Sequence, residues 1–205
     1  NNASDVIQDS SSTASNTIQT GISYTLPTYV NTLILTGSDD VTGTGNSAND
    51  SMVGNAGSDT LVAGSGKDTL VAGGGPATLV GGTGNDTFVV NNAGDVIQDS
   101  SGTASNTIKA AVSYTLPTDI NTLVLTGTAA LTGTANGAND TLTSNTGVDT
   151  LIGGAGNDTF VINNAGDVIQ DSSSTATNVV TSAVSYTLPT NVSTLTLTGS
   201  ANLSG

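Results

Sequence analysis

The sequence lacks most of the side chains that carry enzyme chemistry. Its 205 residues include no histidine, cysteine, glutamate or arginine, and Lys67 and Lys109 are the only basic residues. The usual general bases, thiol nucleophiles and zinc ligands are therefore missing together. All 16 acidic residues are aspartate and the net charge is -14, which opposes electrostatic binding of nucleic acid. We expect a chain that is not an enzyme and has no nucleic-acid partner.

Long apolar runs and good helix formers are also scarce. No segment is long and apolar enough for a membrane span, and charged residues make up only 9% of the chain, against roughly 25% in an ordinary domain. Aspartate without glutamate disfavours exposed helices. The abundant Gly, Thr, Ser, Asn and Val favour short strands joined by tight turns. The composition therefore predicts an all-β protein.

A nine-residue repeat is present instead. Gly81 to Val89 reads Gly-Gly-Thr-Gly-Asn-Asp-Thr-Phe-Val, and Gly153 to Val161 differs from it at one position. Weaker copies fill two arrays, 45–95 and 135–167, with an aspartate at position six except at Ala77. The apolar residues at position eight are predicted to form the core: Met52, Leu61, Leu70, Leu79, Phe88, Leu142, Leu151 and Phe160.

A longer repeat sets the coil length. The sequence Asp-Val-Ile-Gln-Asp-Ser begins at Asp5, Asp95 and Asp167. The first interval equals ten nonamers and the second equals eight. The difference of two nonamers is expected if two nonamers form one coil and one whole coil is missing from the second unit. We predict one continuous β-solenoid over residues 1–205, a parallel β-roll with about 18 residues per coil and about eleven coils.

Three strand-rich modules, 5–44, 99–134 and 171–205, separate or flank the arrays. In the middle module apolar residues alternate with polar ones from Ile108 to Leu116, the period of a strand. The module either continues the solenoid or forms a local hairpin that turns at Pro117 to Asn121. The whole-coil difference between the long repeats favours continuation. Both termini fall within a long repeat and lack an atypical capping repeat, so we expect the chain to be part of a longer array.

The nonamers resemble the motif of the RTX (repeats-in-toxin) family, Gly-Gly-x-Gly-x-Asp-x-(large apolar)-x. The two copies that match every defined position begin at Gly81 and at Gly153. The resemblance implies a parallel β-roll with calcium bound between stacked turns, secretion through a type I channel, and folding outside the cell. It therefore implies an extracellular or bacterial cell-surface location and Ca²⁺ as the ligand.

The chemistry of calcium supports this interpretation. Calcium takes six to eight oxygen ligands, and glycine-rich turns can point several carbonyl groups toward one ion. One turn offers a single carboxylate, whereas two turns stacked one coil apart offer two. The predicted pairs are Asp50 with Asp68, Asp68 with Asp86, Asp140 with Asp158, and Asp149 with Asp167. The candidate glycines are Gly45, Gly64, Gly66, Gly81, Gly82, Gly84, Gly153, Gly154 and Gly156.

Departures from the motif lower the expected number of ions. Ala77 interrupts the edge that carries Asp59 and Asp95, so these two aspartates are predicted to bind weakly or not at all. We expect about three to five calcium ions. Six further aspartates are predicted to be solvated turn residues, and Tyr24, Tyr114 and Tyr186 to pack in or beside the core. These aspartates are Asp5, Asp39, Asp40, Asp99, Asp119 and Asp171.

Two functions are compatible with the sequence. The chain is predicted to be a structural stretch of a secreted or surface protein, such as an adhesin stalk, an S-layer or an extracellular filament, that folds when it binds calcium. The alternative is the calcium-dependent appendage of a secreted lipase, protease or haemolysin. Besides calcium, the expected partners are neighbouring repeats or identical chains packed end to end.

Overall fold

The computed structural model describes residues 16–99, 102, 104–173 and 175–205, and all regular elements in these ranges are β-strands. The chain divides into two compact units, Asn1–Asn106 and Thr107–Gly205. The first copy of Asp-Val-Ile-Gln-Asp-Ser, which includes Asp5, lies outside the described residues.

The described part of the first unit contains ten short strands in two parallel sheets. The odd-numbered strands follow the order β1-β3-β5-β7-β9, and the even-numbered strands follow the order β10-β8-β6-β4-β2. Because successive strands join different sheets, the chain winds as a coil. The strands are β1 (Thr17–Thr20), β2 (Tyr24–Thr25), β3 (Thr32–Leu35), β4 (Thr42–Thr44), β5 (Ser51–Val53), β6 (Thr60–Val62), β7 (Thr69–Val71), β8 (Thr78–Val80), β9 (Thr87–Val90) and β10 (Val96–Gln98).

The second unit repeats this winding as far as β19, and β20 then pairs with β19 in the same sheet. One sheet has the order β11-β13-β15-β17-β19-β20 and the other has the order β12-β14-β16-β18. The strands are β11 (Thr107–Ala110), β12 (Tyr114–Thr115), β13 (Thr122–Leu125), β14 (Thr132–Thr134), β15 (Thr141–Thr143), β16 (Thr150–Ile152), β17 (Thr159–Ile162), β18 (Val168–Gln170), β19 (Asn178–Ser182) and β20 (Val192–Leu197).

The predicted fold class is confirmed. The chain is an all-β parallel β-solenoid of about 10 turns with ~18 residues per turn. In the nonamer arrays the strand register advances by one such turn, for example from Thr60 to Thr78 and from Thr141 to Thr159. In the described residues, five odd-numbered strands lie before β11 and four lie from β11 to β17. These numbers match the intervals of ten and eight nonamers at two nonamers per coil.

From Thr107 onward the module 99–134 is wound in parallel coils, and the hairpin alternative is wrong. β11 pairs with β13 in parallel, with Thr107 beside Thr122, and β12 pairs with β14 in parallel. A local hairpin would require antiparallel strands. The alternating segment from Ile108 to Leu116 is not one strand, because a bend after Ala110 separates β11 from β12. Its alternation of buried and exposed side chains persists through the bend.

Inward-facing residues of the strands form the core. All eight residues at position eight, from Met52 to Phe160, are completely buried, as predicted. The strand triplets such as Thr-Leu-Val place the middle residue inward and the flanking β-branched residues outward, where they suit a pleated surface. Tyr186 is buried, whereas Tyr24 and Tyr114 are half-buried.

Candidate calcium-binding turns

Every sixth-position aspartate is buried at the start of a strand. Their exposed fractions range from 0% for Asp149 to 5% for Asp95 and Asp167. Aspartate is almost never fully buried unless its carboxylate is paired, so the partners of these oxygens decide what the turns can do. The nine buried residues are Asp50, Asp59, Asp68, Asp86, Asp95, Asp140, Asp149, Asp158 and Asp167.

Hydrogen bonds between consecutive coils bring the predicted pairs together. The Asp50 N–H donates to Asp68 Oδ1 at 2.6 Å, and the Asp68 N–H donates to Asp86 Oδ1 at 2.9 Å. In the second unit the same bond joins the Asp140 N–H to Asp158 Oδ1 at 2.9 Å and the Asp149 N–H to Asp167 Oδ1 at 2.8 Å. Each bond spans 18 residues, so each accepting carboxylate of these pairs lies against the preceding coil.

Four of these aspartates keep one buried oxygen without a hydrogen-bond partner. The atoms are Asp50 Oδ1, Asp68 Oδ2, Asp86 Oδ2 and Asp140 Oδ1. Burial raises the pKa of all four carboxyls and that of Asp68 to about 6, with the negative charges of Asp86 and Asp50 as smaller contributions at Asp68. A buried, unpartnered anionic oxygen is costly, and a cation removes that cost directly.

The edge that carries Asp59 differs. Asp59 Oδ1 accepts the Val41 N–H at 3.0 Å, and Asp59 Oδ2 accepts the Asn55 N–H of its own turn. Asp149 follows the same pattern, with its two oxygens accepting the N–H groups of Leu131 and Asn145. Hydrogen bonds from backbone N–H groups thus stabilise the Asp59 and Asp149 carboxylates without a cation. Asp95, Asp158 and Asp167 likewise have hydrogen bonds to both oxygens.

The predicted glycines let adjacent turns stack closely. Gly64 and Gly66 have φ angles of +127° and +136°, which residues with a side chain rarely adopt. An added Cβ at seven of these glycines would overlap a backbone carbonyl oxygen of the adjacent coil: Gly45, Gly64, Gly66, Gly82, Gly84, Gly154 and Gly156. At Gly81 and Gly153 the added Cβ would instead approach carboxylate oxygens.

The donor set of these turns suits calcium. Within the described ranges no three acidic side chains cluster as a metal-binding group, so an ion would take most of its ligands from the backbone. Calcium accepts carbonyl and carboxylate oxygens in such mixtures. The carbonyl groups of Gly64 and Gly66 point at the next turn, on the edge that carries the unpartnered oxygens of Asp68 and Asp86. The residues present therefore fit this ion.

Comparison with protein families identifies the repeat. The family described as RTX calcium-binding nonapeptide repeat (4 copies) matches residues 44–79 and residues 134–169. The chain contains RTX calcium-binding repeats. The predicted resemblance and the calcium ligand are thereby confirmed, and the RTX solenoid is a structural calcium-binding fold. RTX repeats are typical of secreted bacterial proteins.

The other comparisons and the membrane test are negative. Neither the curated proteins nor the solved structures contain a significant match to the chain. Within the part of the chain that the structure describes, no helix is long and apolar enough to cross a membrane.

The family match does not include the best RTX copy of the first array. This copy, Gly81 to Val89, lies just after the first matched segment.

Sequence reasoning placed two of the remaining aspartates wrongly. Asp99 and Asp171 are half-buried and accept hydrogen bonds from the side-chain amides of Asn106 and Asn178, whereas they were predicted to be solvated. Asp39, Asp40 and Asp119 are exposed as predicted. The sequence spacing could have predicted their burial, because Asp99 and Asp171 follow Gly81 and Gly153 by two nonamer lengths. They therefore occupy the first position of the following coil.

Proposed function

We propose that the turns on the edge of Asp50, Asp68 and Asp86 bind calcium between successive coils, and that Asp140 and Asp158 do so in the second unit. The observation that carries this proposal is the Asp68 carboxylate, which is 1% exposed, lies between two other buried carboxylates, and keeps Oδ2 unpartnered. The glycine carbonyl groups of the same turns supply further oxygens. Asp158 accepts backbone N–H groups at both oxygens, but it stacks on Asp140, whose Oδ1 has no hydrogen-bond partner. Asp59, Asp95, Asp149 and Asp167 contribute less because no described aspartate on their edges keeps an unpartnered oxygen.

Calcium binding is proposed to drive folding. With a net charge of -14 and only two basic residues, the metal-free chain is opposed by self-repulsion and by the buried carboxylates. An ion that binds the folded state alone adds its binding free energy to stability. Extracellular calcium modules have dissociation constants on the order of 10⁻⁴ to 10⁻³ M, which keeps the chain unfolded where calcium is scarce.

A calcium titration followed by circular dichroism tests this function. We expect strand signal to appear between roughly 0.1 and 1 mM calcium and to disappear when chelator is added. Magnesium is the matched control, because it requires octahedral geometry and retains its waters. Strand content that is insensitive to both calcium and chelator would show that the ion does not drive folding.

The broader role is proposed to be structural. RTX repeats are typical of secreted bacterial proteins, and both units of this chain consist of repeated coils whose regular spacing serves stacking. We therefore propose a stretch of an adhesin stalk, an S-layer or an extracellular filament that is secreted unfolded through a type I channel. The domain content of the complete protein tests this role. A long continuation of further repeats supports it, and a single flanking hydrolase domain favours the calcium-dependent appendage of an enzyme or toxin.

Association of identical chains end to end is the proposed partner interaction. Parallel coils pair through backbone hydrogen bonds at each step, as in Thr69 with Thr87, and a terminal coil of such a stack presents the same groups to another chain. Light scattering at millimolar calcium tests this association. A strict monomer under these conditions contradicts it.

A further inference from the structure

Each RTX array is followed by an aspartate that faces the last complete turn from the next coil. Asp99 follows Gly81 by two nonamer lengths, and Asp171 follows Gly153 by the same interval. Neither is the sixth-position aspartate of a nonamer. In both units the glycine at position one of the last complete nonamer faces two carboxylates at once.

In the first unit these carboxylates belong to Asp86 and Asp99. A Cβ placed on Gly81 would lie 3.2 Å from Asp86 Oδ2 and 3.1 Å from Asp99 Oδ1. Asp86 is 1% exposed and its Oδ2 has no hydrogen-bond partner. Two oxygens this close to one point are at most about 6 Å apart, and one calcium ion bridges oxygens up to about 5 Å apart. A slight side-chain rotation at most brings both within reach of one ion.

The second unit brings the corresponding carboxylates together, but here the facing oxygens, Asp158 Oδ2 and Asp171 Oδ2, also accept the Gly154 N–H and the Asn178 amide. A Cβ placed on Gly153 would lie 2.9 Å from Asp158 Oδ2 and 2.5 Å from Asp171 Oδ2. At Gly54, in contrast, the added Cβ would meet the carbonyl oxygen of Ala72 and only one carboxylate, that of Asp59. Beside Gly81 and Gly153, the coil that follows the array thus supplies a second carboxylate. Beside Gly54, the following coil supplies a backbone carbonyl group instead.

An asparagine fixes each carboxylate pair. The Asn106 side chain accepts the Asp86 N–H at 2.6 Å and donates its amide to Asp99 Oδ2. This leaves Asp99 Oδ1 facing Gly81. Asn178 makes the same two bonds, at 2.8 Å from the Asp158 N–H and at 2.7 Å to Asp171 Oδ2. The paired carboxylates are therefore held near one another despite their repulsion.

We propose that Asp86 with Asp99, and Asp158 with Asp171, each bind one further divalent cation at the C-terminal end of an array. Calcium is the expected ion because the ligands are carboxylate and carbonyl oxygens. The ion joins Asp99, or Asp171, to the last complete turn of the array that precedes it. These two cations are additional to those held between sixth-position aspartates.

Counting bound calcium in Asp99→Asn and Asp171→Asn tests this proposal. Asparagine keeps an oxygen that accepts the amide of Asn106 or Asn178, and it removes the charge. At position 171 the new amide group also faces the Ser173 N–H, so circular dichroism in calcium first checks that each variant is folded. By equilibrium dialysis we expect each variant to bind one ion fewer than the original chain, and the double variant two fewer. Asp119→Asn, at an exposed position, is the matched control and keeps the full number. An unchanged count in both single variants would overturn the proposal.

Anomalous diffraction from crystals of the unaltered chain grown with terbium provides a test that does not depend on how a variant folds. We expect one peak within about 2.6 Å of Asp86 Oδ2 and Asp99 Oδ1, and a second at Asp158 and Asp171. Peaks at the sixth-position pairs without peaks at these two places would overturn this proposal and leave the proposed function intact. A chain with no peak at all would overturn both.

Discussion

The Asp68 carboxylate accepts the backbone N–H of Asp50, one coil earlier, at 2.6 Å. The Asp68 side chain lies in the turn of its own coil and also hydrogen-bonds to the preceding coil. Its other oxygen, Oδ2, is buried without a hydrogen-bond partner. Asp68 therefore stabilises coil stacking through one oxygen and destabilises the metal-free fold through the other.

This division predicts opposite effects of Asp68→Asn with and without calcium. Asparagine retains an acceptor for the Asp50 N–H and removes the buried charge, so we expect the metal-free chain to gain roughly 1 to 3 kcal/mol at pH 7.5. Calcium binding should weaken, because two predicted sites share this carboxylate. Urea unfolding in calcium-free buffer and calcium titration measure the two effects separately.

Asp59→Asn is the matched control for that variant. Both Asp59 oxygens accept backbone N–H groups, so one N–H would face the new amide group and lose its acceptor. We expect a loss of about 1 to 3 kcal/mol and an unchanged number of bound ions. If the two variants shifted metal-free stability in the same direction, the assignment of the unpartnered oxygens would be wrong.

Acidification is expected to stabilise the metal-free fold. Burial raises the pKa of Asp50, Asp68, Asp86 and Asp140, that of Asp68 to about 6. A carboxyl with a raised folded-state pKa binds its proton more tightly when folded, so its stabilisation is complete below the unfolded pKa near 4 and is lost as pH rises through the folded value. Urea unfolding in calcium-free buffer should give higher stability at pH 4.5 than at pH 7.5.

Saturating calcium should reverse this dependence. Protons and calcium compete for the same oxygens, so the calcium-loaded chain is expected to be more stable at pH 7.5 than at pH 4.5. Equal pH profiles with and without calcium would contradict the assignment of these carboxylates to the ion.

Gly84→Ala tests the close stacking of turns. Gly84 has a φ of +139°, and an added Cβ would overlap the Gly66 carbonyl oxygen of the preceding coil. We expect a loss of about 2 to 4 kcal/mol in calcium-loaded stability. Gly137→Ala is the control, because an added Cβ there meets no atom within 4 Å, and it should change stability by less than about 0.5 kcal/mol. Thermal unfolding in calcium measures both.

Deleting one whole coil is expected to be tolerated. Thr60 and Thr78 are paired residues of adjacent coils, so removal of residues 60–77 joins Asp59 to Thr78 and leaves every later strand in its own sheet. Removal of only 60–68 would move each later strand of the unit to the other sheet. Circular dichroism and calcium-dependent melting should show a folded chain for the first deletion and a strongly destabilised one for the second.

The sequence was sufficient to predict most of the fold. The nine-residue period identified the inward residues from Met52 to Phe160, and the difference of two nonamers between the long repeats identified the coil. It was also sufficient to predict which aspartates lie in adjacent turns, as Asp50 and Asp68 do. These features were predictable because parallel stacking converts a fixed spacing in sequence directly into a contact.

The sequence did not predict which carboxylate oxygens accept a hydrogen bond and which do not. Asp68 and Asp149 occupy the same position of their nonamers, yet only Asp68 keeps an unpartnered oxygen. In the Asp149 turn the Asn145 N–H donates to Oδ2, whereas Asp68 Oδ2 has no hydrogen-bond partner, so one motif position supports both states. Asp99 and Asp171 were missed because a motif search stops where the glycines stop.

The coils outside the nonamers have unequal lengths. On one sheet of the second unit, the step from Thr107 to Thr122 is shorter than the nonamer coil from Thr141 to Thr159, and the step from Thr159 to Val179 is longer. The short and long steps compensate, because the whole path from Thr107 to Val179 equals eight nonamers, the length of the long repeat. Natural insertions and deletions in related chains should therefore collect at the corners of these unequal coils. Engineered peptides or tags should be accommodated there, while the nonamer coils tolerate only whole-coil changes.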